Sequence, residues 1–153
     1  MYAQKINCDN IYQMEIPNSM CLMDMNPDAI FEISNYLEEQ YLIVIHESKA
    51  EFKAAIGSKE KNILPEYTNY LSDSYAETFN GKSSISSISF NNYFAKDIVI
   101  IGESDGVPII WHTIAVETEL YLYQICYWTI SEKDNTKENL KLLLDVAQTF
   151  EEL

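Results

Sequence analysis

Two histidines are the first residues to test for chemistry, because an imidazole near neutral pH can act as a base or hold a metal. His46 ends the apolar run Tyr41-Leu42-Ile43-Val44-Ile45, and His112 lies among Ile110, Ile114 and Val116. Either role needs a partner, a nucleophile or a set of convergent carboxylates. Glu47 beside His46 does not supply one, because neighbours on a strand face opposite ways. Both histidines are therefore expected to be buried, neutral and structural. Three cysteines, Cys8, Cys21 and Cys126, lack the paired spacing of a zinc site. Cys8 and Cys21 could pair in an exported chain, while Cys126 sits among apolar and aromatic residues and reads as a buried thiol. No catalytic residue, metal or cofactor is expected.

Other chemistry-bearing patterns are weaker. Asp24-Met25-Asn26-Pro27-Asp28 spaces oxygen side chains like the opening of a calcium loop. Ala29 then stands where such a loop needs glycine, and Asn35 where it needs glutamate, so a polar turn is the better reading. The run Ser83-Ser84-Ile85-Ser86-Ser87-Ile88-Ser89 contains no nucleophile elbow. Gly57, Gly81, Gly102 and Gly106 stand too far apart for a phosphate loop. Aromatic residues are plentiful, with 11 Tyr, 6 Phe and 2 Trp. Tyr121, Tyr123 and Tyr127 share one strand face and, with His112, are the candidate binding residues, tyrosine being favoured at interfaces. The competing reading is that the C-terminal helix covers them.

The elements that must position these residues follow from periodicity. Ile11 to Ile16 reads as an edge strand ending at Pro17. Ala29 to Ser34 alternates as a half-buried strand, and Gln40 to Glu47 is apolar on both faces, as a central strand covered on both sides would be. Ser48-Lys49-Ala50-Glu51 is a capping box opening a short helix to about Ile56, closed by Gly57. A second helix is expected from Pro65 to about Asn80-Gly81. Ile85 to Phe90, Phe94 to Ile101, Ile109 to Val116 and Leu120 to Ile130 form a meander, with a hairpin turn at Asp105-Gly106. A final helix starts at Asn135, with Leu140, Leu143, Leu144 and Ala147 on its apolar side. Segregated strands and helices imply α+β. The expected architecture is an α/β/α sandwich: a mostly antiparallel sheet of about six strands and a C-terminal helix, in one domain spanning 1–153.

The 24 acidic residues against 10 basic ones give a net charge of −14. Such a surface repels nucleic acid and anionic lipid, and suits a partner protein with a basic surface. No apolar run approaches the ~20 residues of a membrane span. The first residues hold no hydrophobic signal region, which fits the cytoplasm. Tyr2-Ala3-Gln4 also resembles the start of a chain matured from a signal peptide, so an exported chain is the alternative.

Several segments together resemble the PsbP-like superfamily, which includes photosystem PsbP subunits, Mog-type Ran-binding proteins and bacterial relatives. They are Tyr12 through Ile16-Pro17 to Met20, the Tyr41–Ile45 strand with its capped helix, the Ile109–Val116 and Leu122–Thr129 strands, and the helix ending at Phe150. The resemblance implies the sandwich fold and a non-enzymatic binding or assembly role. It carries over no functional residue. Three functions are then in view. The first is a non-catalytic protein-binding module, such as an adaptor, chaperone or assembly factor. The second is an immunity protein that neutralises a toxin. The last is an enzyme or small-ligand binder built on His112 and the tyrosine face.

Overall fold

Strand alternation and helix capping place the three helices and the long strands where the sequence expects them, while the strand expected from Ile85 to Phe90 lies at Lys82–Ser87 and the one expected near an edge, Tyr12–Pro17, is flanked on both sides. The computed structural model describes residues 3–153; Tyr2, part of the signal-peptide reading, lies outside the described residues. The strands are β1 (Ala3–Cys8), β2 (Tyr12–Pro17), β3 (Cys21–Leu22), β4 (Ala29–Asn35), β5 (Gln40–Ser48), β6 (Lys82–Ser87), β7 (Phe94–Ser104), β8 (Val107–Glu117), β9 (Tyr121–Ile130) and β10 (Glu151–Glu152). The helices are α1 (Lys49–Ile56), α2 (Leu64–Thr78) and α3 (Thr136–Ala147).

The fold is α+β with two sheets. A seven-stranded sheet runs β3-β4-β5-β9-β8-β7-β6, and a smaller one runs β1-β2-β10. Each pairing within them is antiparallel. The expectation of about six strands in one sheet is thus corrected to seven plus three. The missed strands carry little sequence signal: β1 is mostly exposed and polar, and β3 and β10 have two residues each. The long-range partner creates them, not their own periodicity. The hairpin between β7 and β8 turns at Asp105 (φ 51°) and Gly106 (φ 80°). Two successive left-handed residues are what a two-residue hairpin loop demands.

Two apolar clusters pack against opposite faces of the long strands. On β8, Ile114 and Val116 join a cluster with Tyr12 and Met14 of β2 and Leu143 and Val146 of α3. Ile109, Trp111 and Ala115 point the other way and join Phe52 of α1 with Tyr67 and Leu71 of α2. This explains why β5, β8 and β9 are apolar on both faces. Each fully buried large side chain contributes about 1.5–3 kcal/mol.

The helix starts show local and distant capping. Ser48 Oγ accepts from the Glu51 amide at 3.2 Å, and Gly57 closes α1 at φ 69°. Pro65 occupies the first turn of α2, but Ile63 offers no side-chain cap. Glu117 of β8 supplies it instead, accepting from the amides of Ile63 (2.9 Å) and Leu64 (3.0 Å). Asn135 does not cap α3 with its side chain. Thr136 instead ties that end to the preceding turn, its hydroxyl donating to the Ile130 carbonyl at 2.8 Å and accepting from the Lys133 amide at 3.0 Å.

Candidate binding surface

The sequence nominated Tyr121, Tyr123, Tyr127 and His112, and the structure puts all four on the side of the large sheet that faces β2 and α3. Tyr123 is 0% exposed and Tyr127 is 2% exposed. Tyr123 packs on Phe150 (centroids 4.8 Å) and Tyr12 (5.8 Å), and its hydroxyl donates to Glu152 at 2.5 Å. Tyr127 stacks on His112 across the strand pair (4.7 Å, interplanar 7°). Burial drives the pKa of both tyrosines well above normal, aided by Glu152 for Tyr123 and by Asp97 for Tyr127. His112 Nδ1 lies 3.1 Å from Asp97 Oδ1. Tyr121 is half-buried, its ring 5.7 Å from His46. The four residues therefore do not form an open platform, because Tyr12 of β2 and Phe150 beyond α3 cover Tyr123, and Tyr127 is buried. The three cysteines are free thiols: Cys8 is buried on the small sheet and Cys21 is exposed on the large one.

One group of exposed apolar side chains lies elsewhere, around the β3–β4–β5 edge. Met25 is 73% exposed, Tyr36 60% and Leu37 95%. Tyr36 spans the patch: its hydroxyl approaches the sulfurs of Met23 (3.1 Å) and Met25 (3.5 Å). Its ring meets Tyr41 edge-on at 6.0 Å. Tyr41 stacks on Trp128 (5.3 Å), and Trp128 stacks on the buried Trp111 (4.5 Å). This ladder follows the register of the sheet, in which Tyr41 pairs with Trp128 and Trp128 with Trp111. A continuous aromatic run thus connects the exposed tip to the core.

The loop bearing Met25 is fixed from beneath. Buried Glu32 accepts from the amides of Met25 and Asn26, both at 3.0 Å. The Asn26 side-chain oxygen accepts from the Asp28 amide at 2.9 Å, so the calcium-like run is a polar turn held by Asn26. Asp24, Asp28, Glu38 and Glu39 are exposed in the same loop and the adjoining turn. Glu39 accepts from the Tyr41 hydroxyl at 2.8 Å. Burial, with that bond, lifts the Tyr41 pKa to about 12. The result is an apolar, Met- and Tyr-rich tip bordered by carboxylates. Sequence periodicity had no means of finding it, since Tyr36 and Leu37 sit in a turn and Met25 in a loop.

Comparison with solved structures places the fold. Cyanobacterial PsbP (CyanoP) from Synechocystis superposes with a TM-score of 0.65 at 11% identity, over 99% of this chain and 92% of that one. LpqN of Mycobacterium tuberculosis, involved in cell envelope biogenesis, gives 0.66 at 8% identity, over 99% and 90%. The chain has a PsbP-like fold. A protein from Bacteroides thetaiotaomicron gives 0.64 at 8% identity, and this chain spans about half of it (49%). No family model matches the chain, and none of the curated proteins matches it in sequence. The likeness is one of fold, and the PsbP-like fold by itself assigns no site. No helix among the described residues is long and apolar enough to cross a membrane.

Proposed function

We propose that the chain is a non-catalytic protein-binding module, one PsbP-like domain arranged as an α/β/α sandwich. Its docking surface is the tip formed by Met25, Tyr36 and Leu37. The observation that carries this reading is the exposure of these three large side chains on a scaffold braced by Tyr41, Trp128 and Glu32. Interface anchors have this character: large, apolar, rigidly backed and ringed by polar groups. Methionine adapts to partner shape, and tyrosine adds area at low entropy cost. The carboxylates around the tip and the net charge of −14 favour a partner with a basic surface. The fold shared with LpqN supports an accessory role, and that protein's part in cell envelope biogenesis supports an exported setting.

Affinity capture from the source cells, with the wild-type chain and a Leu37→Asp/Tyr36→Ala variant side by side, tests this. The variant should lose the partner that the wild type retains, with an unchanged circular dichroism spectrum. Recovery of the partner should fall as salt rises. A partner held equally by both proteins would remove the tip from consideration. Retention of a single basic toxin would assign the binding to an immunity role.

A further inference from the structure

A concave site, separate from the tip, lies between α1, the segment after it, and the β8–β9 turn. It is a groove of about 910 Å³. The chain has ten lysines and no arginine, and three of the lysines, Lys49, Lys53 and Lys61, line this groove. Lys49 and Lys53 are one helical turn apart on α1 and share a face.

The hydrogen-bonding state of the lining decides what the groove can bind. Two of its three carboxylates are already engaged. Glu117 pairs with Lys49 Nζ at 2.8 Å and caps the start of α2. Glu152 accepts from the hydroxyls of Tyr123 (2.5 Å) and Thr118 (2.7 Å). The donors are not used. Among the described residues, Lys53 and Lys61 take part in no ion pair, and neither lysine nor the side chains of Asn62 and Asn92 make a hydrogen bond. Glu119, at the rim, is exposed. Beside these donors Phe94 is 69% exposed, against the half-buried Tyr93. A cleft in which two of three carboxylates are engaged, with spare cationic and amide groups and one bare aromatic wall, is complementary to an acceptor-rich anion carrying an apolar group.

We propose that this groove binds a small organic anion, a carboxylate or phosphate ester with a short apolar portion. The head group sits between Lys53 and Lys61, and the apolar portion lies on Phe94. The site does not depend on the protein-binding reading and uses none of the tip residues. The chain's overall negative charge opposes an anion only weakly at this range, since the Debye length is about 8 Å at physiological salt. Within the groove three glutamates match the three lysines in number, so the head group is held by direct contact with the Lys53 and Lys61 ammonium groups and not by a net positive field.

Amide-shift titration by NMR, with phenyl phosphate, hexanoate and inorganic phosphate as separate probes at up to about 10 mM, tests the proposal. Phenyl phosphate or hexanoate should move the amides of residues 53, 61, 62 and 92–94 to saturation. Inorganic phosphate should bind at least several-fold more weakly, because it cannot use Phe94. A Lys53→Gln/Lys61→Gln variant should bind the responsive probe about tenfold or more weakly. Phe94→Ala should weaken the organic anions alone. The proposal is overturned if neither organic anion perturbs these amides, or if the double variant binds as tightly as the wild type. Both lysine changes lie at the groove's outer wall, and an unchanged spectrum away from the groove confirms that the variants fold.

Discussion

Replacing Glu117 by Gln probes the most demanding polar arrangement in the molecule. The side chains of Lys49 and Glu117 are 10% and 2% exposed, so solvent screens their 2.8 Å contact little. Glu117 also accepts two backbone amides at the start of α2, at 2.9 and 3.0 Å. A carboxylate serves three donors with two oxygens. Glutamine has one oxygen, and its NH2 must face either an amide N–H or the ammonium. Lys49 would keep the Thr118 carbonyl at 3.3 Å as its remaining partner. Removing one member of a buried pair costs about 3–5 kcal/mol, because it strands the other charge. That is a large part of the ~5–15 kcal/mol that holds a domain folded. With a urea m-value of about 2 kcal/mol/M, the midpoint should drop by roughly 1.5–2.5 M at unchanged m. Tryptophan fluorescence and far-UV circular dichroism would follow the transition, and amide exchange at residues 63 and 64 should accelerate most. Adding Lys49→Met removes the stranded charge and should restore about 1 kcal/mol or more. A Glu117→Gln cost below about 1 kcal/mol, or a double variant no more stable than the single one, would refute the reasoning.

Two further outcomes follow from packing and protonation. Gly81 and Gly102 let the end of α2 cross close to β7: a Cβ at Gly102 would stand 2.4 Å from the Phe79 carbonyl oxygen. That contact is with backbone, so Gly102→Ala should destabilise by about 1–3 kcal/mol in thermal or urea unfolding, whereas Gly102→Ala with no loss would show that the crossing can widen freely. Burial raises the Cys126 thiol from 9.0 to about 11. Below pH 9 both states keep the proton and this contribution is intact. Between about 9 and 11 the unfolded chain releases it first, so stability falls with rising pH, by up to about 2–3 kcal/mol. Buried Tyr67, Tyr123 and Tyr127 and half-buried Tyr75, all shifted upward, act in the same direction at higher pH. Urea unfolding of wild type and Cys126→Ala from pH 8 to 11 should show the two stabilities converging as pH rises; a constant gap would contradict the assignment.

The sequence alone determined the parts of this protein that local chemistry specifies. Ser48 and Gly57 bound α1, Pro65 opens α2, and Asp105-Gly106 turns the hairpin, because capping and left-handed turns depend on a few adjacent residues. The two-faced apolar strands likewise announced cores on both sides of the sheet. Tertiary structure decided what depends on partners distant in the chain. The strands β1 and β10 exist through pairing with β2, and α2 is capped by a glutamate over fifty residues away. Asn139, set on an apolar helix face, is buried because it joins Gln40, Glu38 and Thr129. The same dependence governs the sites. The sequence could put Tyr121, Tyr123 and Tyr127 on one face of a strand, but not say that Tyr12 and Phe150 would cover Tyr123. Nor could it show that loop residues Met25, Tyr36 and Leu37 would converge into an exposed tip, or that lysines 49, 53 and 61 would line one groove. Periodicity reports which side of an element is apolar; only the folded chain decides which apolar sides remain uncovered and which charges are left without a partner.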